Sequence, residues 1–307
     1  MDGVLVARKP AGPTSHDVVA LVRRLAATKR VGHGGTLDPF ASGVLPLFLG
    51  KATRVVEYHL GDRKAYRATL CFGASSTTDD LEGELTPSSG SAPDRAAVEA
   101  VLPRFLGGIS QRPPAYSAIK VAGRRAYAMA RAGEQVELSE RQVSIDRLEI
   151  ASWDGSDPAR PIAVIDVECS AGTYIRALAR DIGEAVGSAA YLGALVRTAS
   201  GPFRMDDSVT LDDIRAAAAE GPDRLGSLLL PIDAGLDHIP EITATDADVV
   251  ALSKGQFVRA GAGLPETGPI RVRDSAGTLI AIARSLDGRL APDKVLVGAP
   301  AEAATRG

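Results

Sequence analysis

Residues 162–185 have the sequence IAVIDVECSAGTYIRALARDIGEA, which contains a strand pattern and a helix pattern separated by one tight turn. The first eight residues are predicted as a strand that places Asp166 and Glu168 on one face with Ile162 and Val164. The turn Ser-Ala-Gly-Thr then leads into a predicted helix from Tyr174 to about Ala185. Further strands are predicted at residues 66–72 and 143–150. Strand-to-helix units mixed with hairpin-like strands predict an α+β fold with a mixed sheet.

The predicted domain organisation follows from a change of pattern near Thr243, where one short helix is followed by short strands and turn residues. This is the pattern of a small β-barrel, so we predict a main α+β domain over residues 1–238 and a barrel over residues 239–307. The predicted barrel strands are residues 256–259, 270–274, 278–284 and 295–297. An insert in the main domain is predicted at about residues 75–138, with helical patterns at 95–106 and 125–131.

The composition of the 307-residue chain is that of a soluble globular protein, with 45% hydrophobic and 24% charged residues. Cys71 and Cys169 are too few for a disulfide framework, and the four histidines lack metal-ligand spacing, so no metal site is expected. No apolar run reaches the roughly 18 residues that span a bilayer. The N-terminal sequence MDGVLVARKP also lacks the order of a signal peptide. These observations predict a cytoplasmic protein that does not enter a membrane.

The net charge of −3 hides an uneven distribution along the chain. Residues 1–70 carry 11 Lys and Arg against 5 Asp and Glu, whereas residues 205–307 carry 10 against 16. A basic first segment is compatible with a phosphate-bearing ligand such as nucleic acid. A chance imbalance on a solvated surface explains the same numbers equally well.

Residues 32–43, GHGGTLDPFASG, combine four glycines with one histidine and one aspartate. The spacing excludes a Walker phosphate loop, because Gly-Lys-Ser/Thr is absent. It also excludes a dinucleotide fingerprint, because no GxGxxG motif follows a strand. Glycines of this density allow a backbone to approach a ligand closely. Taken alone, however, Asp38 before Pro39 is more simply a turn residue that caps backbone amides.

Arg176 and Arg180 lie one turn apart on the predicted helix and project on the same side. An arginine in the first turn of a helix is unfavourable to the helix dipole. Its presence indicates either a specific anionic partner or an ordinary surface arginine.

Separated motifs follow one another in a definite order over residues 4–204. They are Lys9-Pro10 with Thr14-Ser15, residues 32–43, Tyr66-Arg67-Ala68, residues 112–120 (RPPAYSAIK), residues 172–176 (GTYIR), and Arg197-Thr198 with residues 201–203 (GPF). Together they resemble the TruB family of bacterial tRNA pseudouridine synthases. The resemblance implies a pseudouridine synthase catalytic domain with a helical insert, followed by a PUA-like RNA-binding barrel. It implies isomerisation of uridine 55 in the T-loop of tRNA, without a cofactor, by a monomer that binds the T-arm.

The resemblance assigns catalytic roles to Asp38, Arg176 and Tyr66. Asp38 matches the catalytic aspartate, Arg176 matches the arginine that pairs with it, and Tyr66 matches the tyrosine that stacks on the target base. The chemistry fits these residue types, since a carboxylate can act as a nucleophile and an arginine keeps it ionised in a water-poor pocket. Attack at C6 of the base and attack at C1′ of the ribose both remain open.

The resemblance also assigns substrate binding to three residues, and the charge of the first segment adds Lys9 as a fourth. Tyr174 and Leu195 match pocket residues, which would line the space for a base that has left its stack. His33 matches a histidine that helps to displace bases of the T-loop. Lys9 belongs to the basic first segment, which would meet phosphates of the RNA.

Two other functions remain as alternatives. The first is a tRNA-folding chaperone in which catalysis is secondary or absent. The second is a glycosidase-type hydrolase that uses two carboxylates, for which Asp166 and Glu168 are the close acidic pair on one strand face. Product analysis separates isomerisation from hydrolysis, because only hydrolysis releases free uracil.

Overall fold

The computed structural model describes residues 1–116, 120–121, 124–125, 129, 138–259, 265 and 267–297. Within these residues the chain forms a ten-stranded central sheet, a five-stranded sheet near the C-terminus and two short hairpins. The central sheet combines parallel and antiparallel pairs and carries helices on its faces. The predicted α+β class with a mixed sheet is therefore confirmed.

The strands of the central sheet are β1 (Gly3–Lys9), β2 (Val31–His33), β3 (Ser42–Leu49), β4 (Lys64–Phe72), β7 (Gly107–Gln111), β10 (Arg141–Asp154), β11 (Ile162–Cys169), β12 (Ala190–Ser200), β13 (Phe203–Arg204) and β14 (Val209–Thr210). The hairpins are β5 (Ala74–Ser76) with β6 (Leu85–Pro87) and β8 (Lys120–Val121) with β9 (Arg124–Arg125). The second sheet comprises β15 (Glu241–Thr243), β16 (Val258–Arg259), β17 (Pro269–Arg273), β18 (Leu279–Leu286) and β19 (Arg289–Val295). The described α-helices are α1 (Ser15–Leu25), α2 (Arg95–Val101), α3 (Ile175–Ala185), α4 (Leu211–Glu220), α5 (Pro222–Gly226) and α6 (Asp246–Ser253), and 3-10 turns cover Gly50–Arg54, Val56–His59 and Leu102–Phe105.

The strand order of the central sheet is β14-β1-β3-β12-β4-β11-β10-β7, with β2 paired to β3 and β13 paired to β12. β1 is parallel to β14 and β3 is parallel to β12, whereas the other neighbours are antiparallel. In the β1–β3 pair Lys9 lies opposite Gly43, and Gly3 lies opposite Leu49. The loop between β2 and β3, residues 34–41, therefore returns to the sheet beside the end of β1.

The half of the sheet that contains β1 and β3 is buried on both faces. β3 is an almost continuous apolar run, which is the pattern of a strand covered on both sides. One face packs against α1, α4 and α5. The other face packs against the second sheet, for example against Leu279 and Ile282 of β18. This double packing makes the end of β1 and the start of β3 a rigid base for the loop at residues 34–41.

The half that contains β4, β11 and β10 is covered on one face only. There α2 and α3 pack on the sheet, with Leu178 and Ile182 of α3 in the same core cluster as Leu70. The opposite face carries charged pairs, such as Arg67 Nε with Asp166 Oδ1 at 2.8 Å. α3 lies where the sequence predicts a helix, and Tyr174 is the residue immediately before it.

The insert is described in part and differs from the prediction in two respects. The predicted helix at residues 95–106 is α-helical only to Val101, because Pro103 has no N–H to continue the helical hydrogen bonds. β7, near the end of the described part, pairs with β10 in the central sheet and so belongs to the main framework. Most of the second predicted helical segment, residues 125–131, lies outside the described residues.

The second sheet has the order β15-β17-β18-β19-β16, and its curl fits a PUA-like domain. Predicted strands correspond to β16, β17 and β18, but the final strand is Arg289–Val295 and not residues 295–297. It follows a tight turn in which Asp287 and Gly288 both have positive φ, at 49° and 70°. Asp-Gly is a strong hairpin signal, but Pro292 and the charged residues around it break the alternation that marks a strand.

A group of charged side chains fixes β17 to the segment that enters the second sheet. We call it the Asp233 cluster; its members are Asp233, Glu241, Arg271 and Arg273. Arg271 is buried, and its guanidinium lies 3.5 Å from Asp233 and 3.2 Å from Glu241. Arg273 contacts the same two carboxylates. The cluster ties the linker between the two sheets to the edge of the second one.

Candidate active site

The loop that carries Asp38 is held from below by Lys9. Lys9 is fully buried at the end of β1, and its Nζ donates to the backbone carbonyls of Pro10 (3.0 Å), Pro39 (3.1 Å) and Ala41 (2.5 Å). Burial lowers the pKa of Lys9 to about 8. The expected contact between Lys9 and substrate phosphates is thereby corrected, because its ammonium group faces the loop and has no exposed surface. Lys9 shapes the loop around Asp38.

Ser15 fixes the same loop from the side of α1. Its Oγ donates to the carbonyl of Leu37 (3.1 Å) and accepts the N–H of Leu37 (2.9 Å). Ser15 is placed by the N-terminus of α1, where Thr14 and Asp17 form a capping box. A helix cap that was visible in the sequence therefore sets the position of the residue before Asp38.

Arg197 of β12 holds the preceding part of the loop. It is almost fully buried, and its guanidinium donates to the carbonyls of Val44 (2.7 Å) and Gly35 (3.1 Å). Gly43 lies so close to the backbone of Arg197 that an added Cβ would stand 2.2 Å from the Arg197 carbonyl oxygen. With its φ of +111°, this position requires glycine.

Asp38 forms an ion pair with Arg176, the second residue of α3. The distance from Arg176 Nε to Asp38 Oδ2 is 3.1 Å. The other guanidinium nitrogens contact Asp80 Oδ2 at 3.1 Å and donate to the carbonyls of Thr78 (3.2 Å) and Tyr116 (2.9 Å). We call Asp38, Asp80 and Arg176 the Asp38 cluster. The cluster joins the loop that carries Asp38, the start of α3 and the first part of the insert. The bond from Arg176 to Tyr116 adds a second segment of the insert.

The three members of the Asp38 cluster differ in exposure. The side chain of Asp38 is 36% exposed, whereas those of Arg176 and Asp80 are 7% and 3% exposed. Burial raises the pKa of the Asp38 carboxyl group. The positive charges of Arg176 and Lys9 lower this pKa, and the negative charge of Asp80 raises it further. Asp38 is therefore the carboxylate of the cluster that a ligand can reach, and burial disfavours its anionic form while Arg176 favours it.

Asp80 and the neighbouring pair of Asp79 with Arg180 were not predicted as site residues. Asp80 Oδ1 accepts bonds from Thr78 Oγ1 (2.5 Å) and the Glu82 N–H (3.0 Å), which leaves Oδ2 for Arg176. Asp79 has a positive φ of 61° and contacts Arg180 Nη1 at 2.7 Å. The available signal was the Ser-Ser-Thr-Thr-Asp-Asp run, in which hydroxyl groups precede two adjacent acids. Arg176 and Arg180 of α3 thus pair with two adjacent acids, Asp80 and Asp79, in the turn after β5.

Tyr66 and Leu195 come from the adjacent strands β4 and β12. Both pack at the edge of the core that also contains Leu37. Burial raises the pKa of the Tyr66 phenol, the nearby guanidinium of Arg197 opposes that shift, and the charge of Asp38 adds to it. An aromatic ring and an apolar side chain therefore pack in the same cluster as Leu37, the residue before Asp38.

Tyr174 is positioned by a side chain that the sequence did not single out. Gln111, fully buried at the end of β7, donates to the Tyr174 carbonyl (3.0 Å) and accepts the Tyr174 N–H (2.8 Å). The guanidinium of Arg141 lies 5.7 Å from the centroid of the Tyr174 ring, a cation–π contact. Tyr174 is thereby fixed next to Arg176, at the mouth of the insert.

His33 lies at the start of the loop at residues 34–41. Its Nδ1 accepts the N–H of Gly35 (3.3 Å), and its ring meets the ring of His16 edge-on at 5.5 Å. Burial is the main cause that lowers the pKa of His33, and His16 lowers it further. A neutral imidazole that accepts a backbone bond is consistent with this environment.

The hydrolase alternative depends on Asp166 and Glu168, and both are engaged by arginines on the outer face of the sheet. Asp166 receives two bonds from Arg67, at 2.8 and 2.9 Å, and Glu168 lies 3.6 Å from Arg147. Tyr66 points to the other face, because neighbouring residues of a strand alternate. This carboxylate pair is therefore separated by the sheet from the Asp38 cluster.

Outside the Asp38 region, the structure contains a cavity of about 300 Å³ between Tyr58 and the segment that enters the second sheet, near His238 and Pro269. It shares no residue with the Asp38 cluster. Among the described residues, no group of three or more His, Cys, Asp or Glu side chains is arranged to hold a metal ion. No helix in that part of the chain has the length and apolar character to cross a bilayer.

Comparison with known proteins gives two adjoining family matches. Residues 23–175 match the N-terminal domain of the TruB family of pseudouridylate synthases, and residues 176–237 match the tRNA pseudouridylate synthase B C-terminal domain. The chain belongs to the TruB family of pseudouridylate synthases. The predicted family is thus confirmed, and the protein is a pseudouridine synthase, which is an isomerase.

Proteins named tRNA pseudouridine synthase B are similar to this TruB-family chain over most of their length. The Bradyrhizobium diazoefficiens protein is 44% identical over 297 residues, which cover 95% of this chain and 85% of the relative. The Pseudomonas putida F1 protein is 42% identical, with 96% of each chain covered. A solved Cbf5-Nop10-Gar1 complex contains a chain with a TM-score of 0.73 and 27% identity, covering 96% of this chain and 85% of that one. A structure of an H/ACA RNP bound to a substrate RNA gives a TM-score of 0.72 and 26% identity, with coverage of 96% and 85%.

Proposed function

We propose that this TruB-family enzyme converts uridine 55 to pseudouridine in the T-loop of tRNA, with Asp38 as the nucleophile. The observation that carries the proposal is the ion pair between Arg176 and Asp38, in which the arginine is buried and the carboxylate is one-third exposed. A carboxylate that is paired with an arginine and open to a ligand is suited to covalent catalysis. The relatives named tRNA pseudouridine synthase B support tRNA as the substrate.

The reaction conserves the atoms of the nucleotide, so it consumes no oxidant, reductant or group donor. The bond between N1 of the base and C1′ of the ribose breaks, and a bond between C5 and C1′ forms. Asp38 bonds transiently to the substrate, at C1′ of the ribose or at C6 of the base, and is released at the end. The hydrogen on C5 leaves as a proton, and N1 gains one. Arg176 stabilises the charge of the carboxylate before attack and after release.

The target uridine must leave its stack to reach Asp38, which costs a few kcal/mol. Tyr66 offers an aromatic face on which the base can stack, and Leu195 and Tyr174 form the adjoining walls of the pocket. His33, at the start of the catalytic loop, contacts the displaced bases of the T-loop. These roles rest on residue type, on the packing of Tyr66 and Leu195 in the same cluster as Leu37, and on the family resemblance.

We further propose that the enzyme acts in the cytoplasm as a monomer that binds the T-arm. The proposed division of labour places catalysis in residues 1–238 and RNA binding also in the PUA-like sheet of residues 239–307. The basic character of residues 1–70 supports contact with phosphates on the catalytic side.

The test is the Asp38→Asn variant, in which the side chain keeps its size and loses its negative charge. We expect product formation on a T-arm stem-loop to fall by roughly 10⁴-fold or more, as for loss of a nucleophile, with RNA affinity within about threefold. Carbodiimide mapping of pseudouridine identifies the position, and tritium release from 5-tritiated uridine gives the rate.

Each other outcome of this experiment points to a different error. Conversion by the variant at the normal rate would exclude Asp38 as the nucleophile. Modification at a position other than 55 by the unaltered enzyme would overturn the substrate site. If the unaltered enzyme bound and folded tRNA without forming pseudouridine, the chaperone alternative would replace this proposal.

A further inference from the structure

One group of exposed cations on the catalytic side lacks carboxylate partners. We call it the basic patch; it consists of Arg24 at the end of α1, Lys29 and Arg30 before β2, and Lys51 after β3. Among the described residues, none of these side chains forms an ion pair within 4.0 Å. Arg24, Lys29 and Arg30 are exposed, and Lys51 is half-buried.

The backbone brings these residues together. The N–H of Gly50 donates to the carbonyl of Arg30 (2.8 Å), and β2 pairs with the end of β3, where Val31 lies opposite Leu49. The carboxylate of Asp2 lies beside them, but it accepts the backbone N–H of Lys51 (2.8 Å) and forms no ion pair with the ammonium group. Like charges gathered in this way repel one another unless an anion occupies the surface.

Elsewhere in the described part of the chain, some exposed arginines, such as Arg104, Arg160 and Arg204, also lack an ion pair within 4.0 Å, whereas others are paired. Arg95 pairs with Glu99 at 2.7 Å, and Arg215 pairs with Asp212 at 2.6 Å. The helix dipole explains Arg24, because cations near a helix C-terminus are favourable. It does not explain Lys29, Arg30 or Lys51, which lie outside the helix. The three need another reason to be gathered without partners.

The patch lies at the opposite end of β3 from the catalytic loop. Gly43, opposite Lys9, marks the end near Asp38, and Leu49 marks the end near the patch. Six residues of extended strand span about 20 Å. α1 runs alongside, from Ser15 at the catalytic loop to Arg24 at the patch. A ligand that occupies both places must therefore be long and anionic.

We propose that the basic patch binds the phosphodiester backbone of the RNA substrate at about 20 Å from the target nucleotide, outside the loop that enters the active site. This inference rests on the proposed function, which supplies a polyanion long enough to reach. Phosphate contacts of this kind add affinity and orientation without reading the base sequence. The patch would hold the body of the tRNA while Asp38 acts on one nucleotide.

The test neutralises the patch in the full-length enzyme with Arg24→Gln, Lys29→Gln, Arg30→Gln and Lys51→Gln combined. The matched control removes four exposed, paired arginines with Arg95→Gln, Arg147→Gln, Arg215→Gln and Arg224→Gln, which changes the net charge equally. Two RNAs are compared: full-length unmodified tRNA, and a hairpin with a stem of about four base pairs, too short to span about 20 Å at roughly 3.4 Å or less per pair.

For full-length tRNA we expect the patch variant to bind about tenfold more weakly or worse at roughly 0.1 M salt. The slope of log affinity against log salt should become shallower by about 0.9 for each duplex phosphate that the variant no longer neutralises. Binding and tritium release on the short hairpin should stay within about threefold of the unaltered enzyme, which also shows that the variant is folded. The control variant should keep most of its affinity for both RNAs.

Two results would overturn the inference. One is equal affinity of the patch and control variants for full-length tRNA. The other is an equal reduction in affinity for both RNAs, which would mean that the patch acts at the loop or supports the fold. If the unaltered enzyme formed no pseudouridine in the hairpin while the patch variant still bound full-length tRNA more weakly, the proposed function would fail and the patch would stand.

Discussion

Two clusters of arginine and carboxylate side chains, the Asp38 cluster and the Asp233 cluster, have the same chemistry and different consequences. Each contains one arginine whose side chain is 7% exposed, Arg176 in the first and Arg271 in the second. In the Asp233 cluster both carboxylates belong to the linker or to the edge of the second sheet. Exposure does not separate the clusters, because the side chain of Glu241 is 52% exposed and that of Asp38 is 36% exposed.

The pKa shifts separate the two clusters. Burial raises the pKa of Asp38 despite its arginine partner, whereas the hydrogen bond from Arg273 lowers the pKa of Glu241. Glu241 is therefore stabilised as an anion by its surroundings, whereas burial disfavours the anion of Asp38. A buried ion pair by itself does not mark a functional site. A carboxylate whose pKa is raised by burial despite an arginine partner is the more specific sign.

The largest expected difference between the two clusters is in the single-turnover rate after the buried arginine of each, Arg176 or Arg271, is replaced. We expect Arg176→Gln to lower the single-turnover rate by roughly 100- to 1,000-fold, because Asp38 loses its charge partner. Arg271→Gln should change that rate by less than about twofold and lower Tm by about 5 °C, through the uncompensated carboxylates of its cluster. The measurements are tritium release per folded molecule and thermal unfolding. Similar reductions of rate in both variants would show that the clusters do not differ in function.

A smaller effect is expected from Tyr66, the aromatic residue that the proposed function assigns to base stacking. Tyr66→Ala removes the stacking face, which is worth about 1–3 kcal/mol per base, so kcat should fall by about 5- to 150-fold. RNA affinity should change much less, since the other proposed RNA contacts remain. Tyr66→Phe is the matched control, because it keeps the ring and removes only the hydroxyl. Turnover retained by the alanine variant would remove the stacking role.

Much of the fold follows from local pattern. The capping residues of α1 and the strand, turn and helix of residues 162–185 are all visible in the sequence, because they depend on near neighbours. β7 was not visible, since pairing with β10 across about thirty residues leaves no local trace in a Gly-rich segment. β19 was concealed by its proline, although the Asp-Gly turn before it was present.

Only part of the candidate site could be predicted from the sequence. Motif resemblance found Asp38 and Arg176, and the structure brings their side chains to 3.1 Å. It did not find Asp80 or Gln111, whose partners are 96 and 63 residues away along the chain. Lys9 was assigned to the substrate because a lysine in a basic segment is usually exposed. Its burial under the loop depends on the register between β1 and β3, which composition does not show.

The smallest expected effect concerns the pH dependence of stability, where the two clusters should have opposite signs. Because the folded pKa of Asp38 is raised above its ordinary value near 3.8, the folded state disfavours the anion, and this cost is present at neutral pH and disappears as the pH falls through the raised pKa. Because the folded pKa of Glu241 is lowered below 4.5, its contribution is stabilising above that pH and disappears as the pH falls through the lowered pKa.

At pH 7, Asp38→Asn should therefore have a Tm equal to or slightly above that of the unaltered enzyme, and Glu241→Gln a lower one. Both differences should shrink in thermal unfolding experiments carried out toward pH 4. A Tm lowered by Asp38→Asn at pH 7 would mean that Arg176 more than compensates for burial, and the two clusters would then be alike in the property that separates them here.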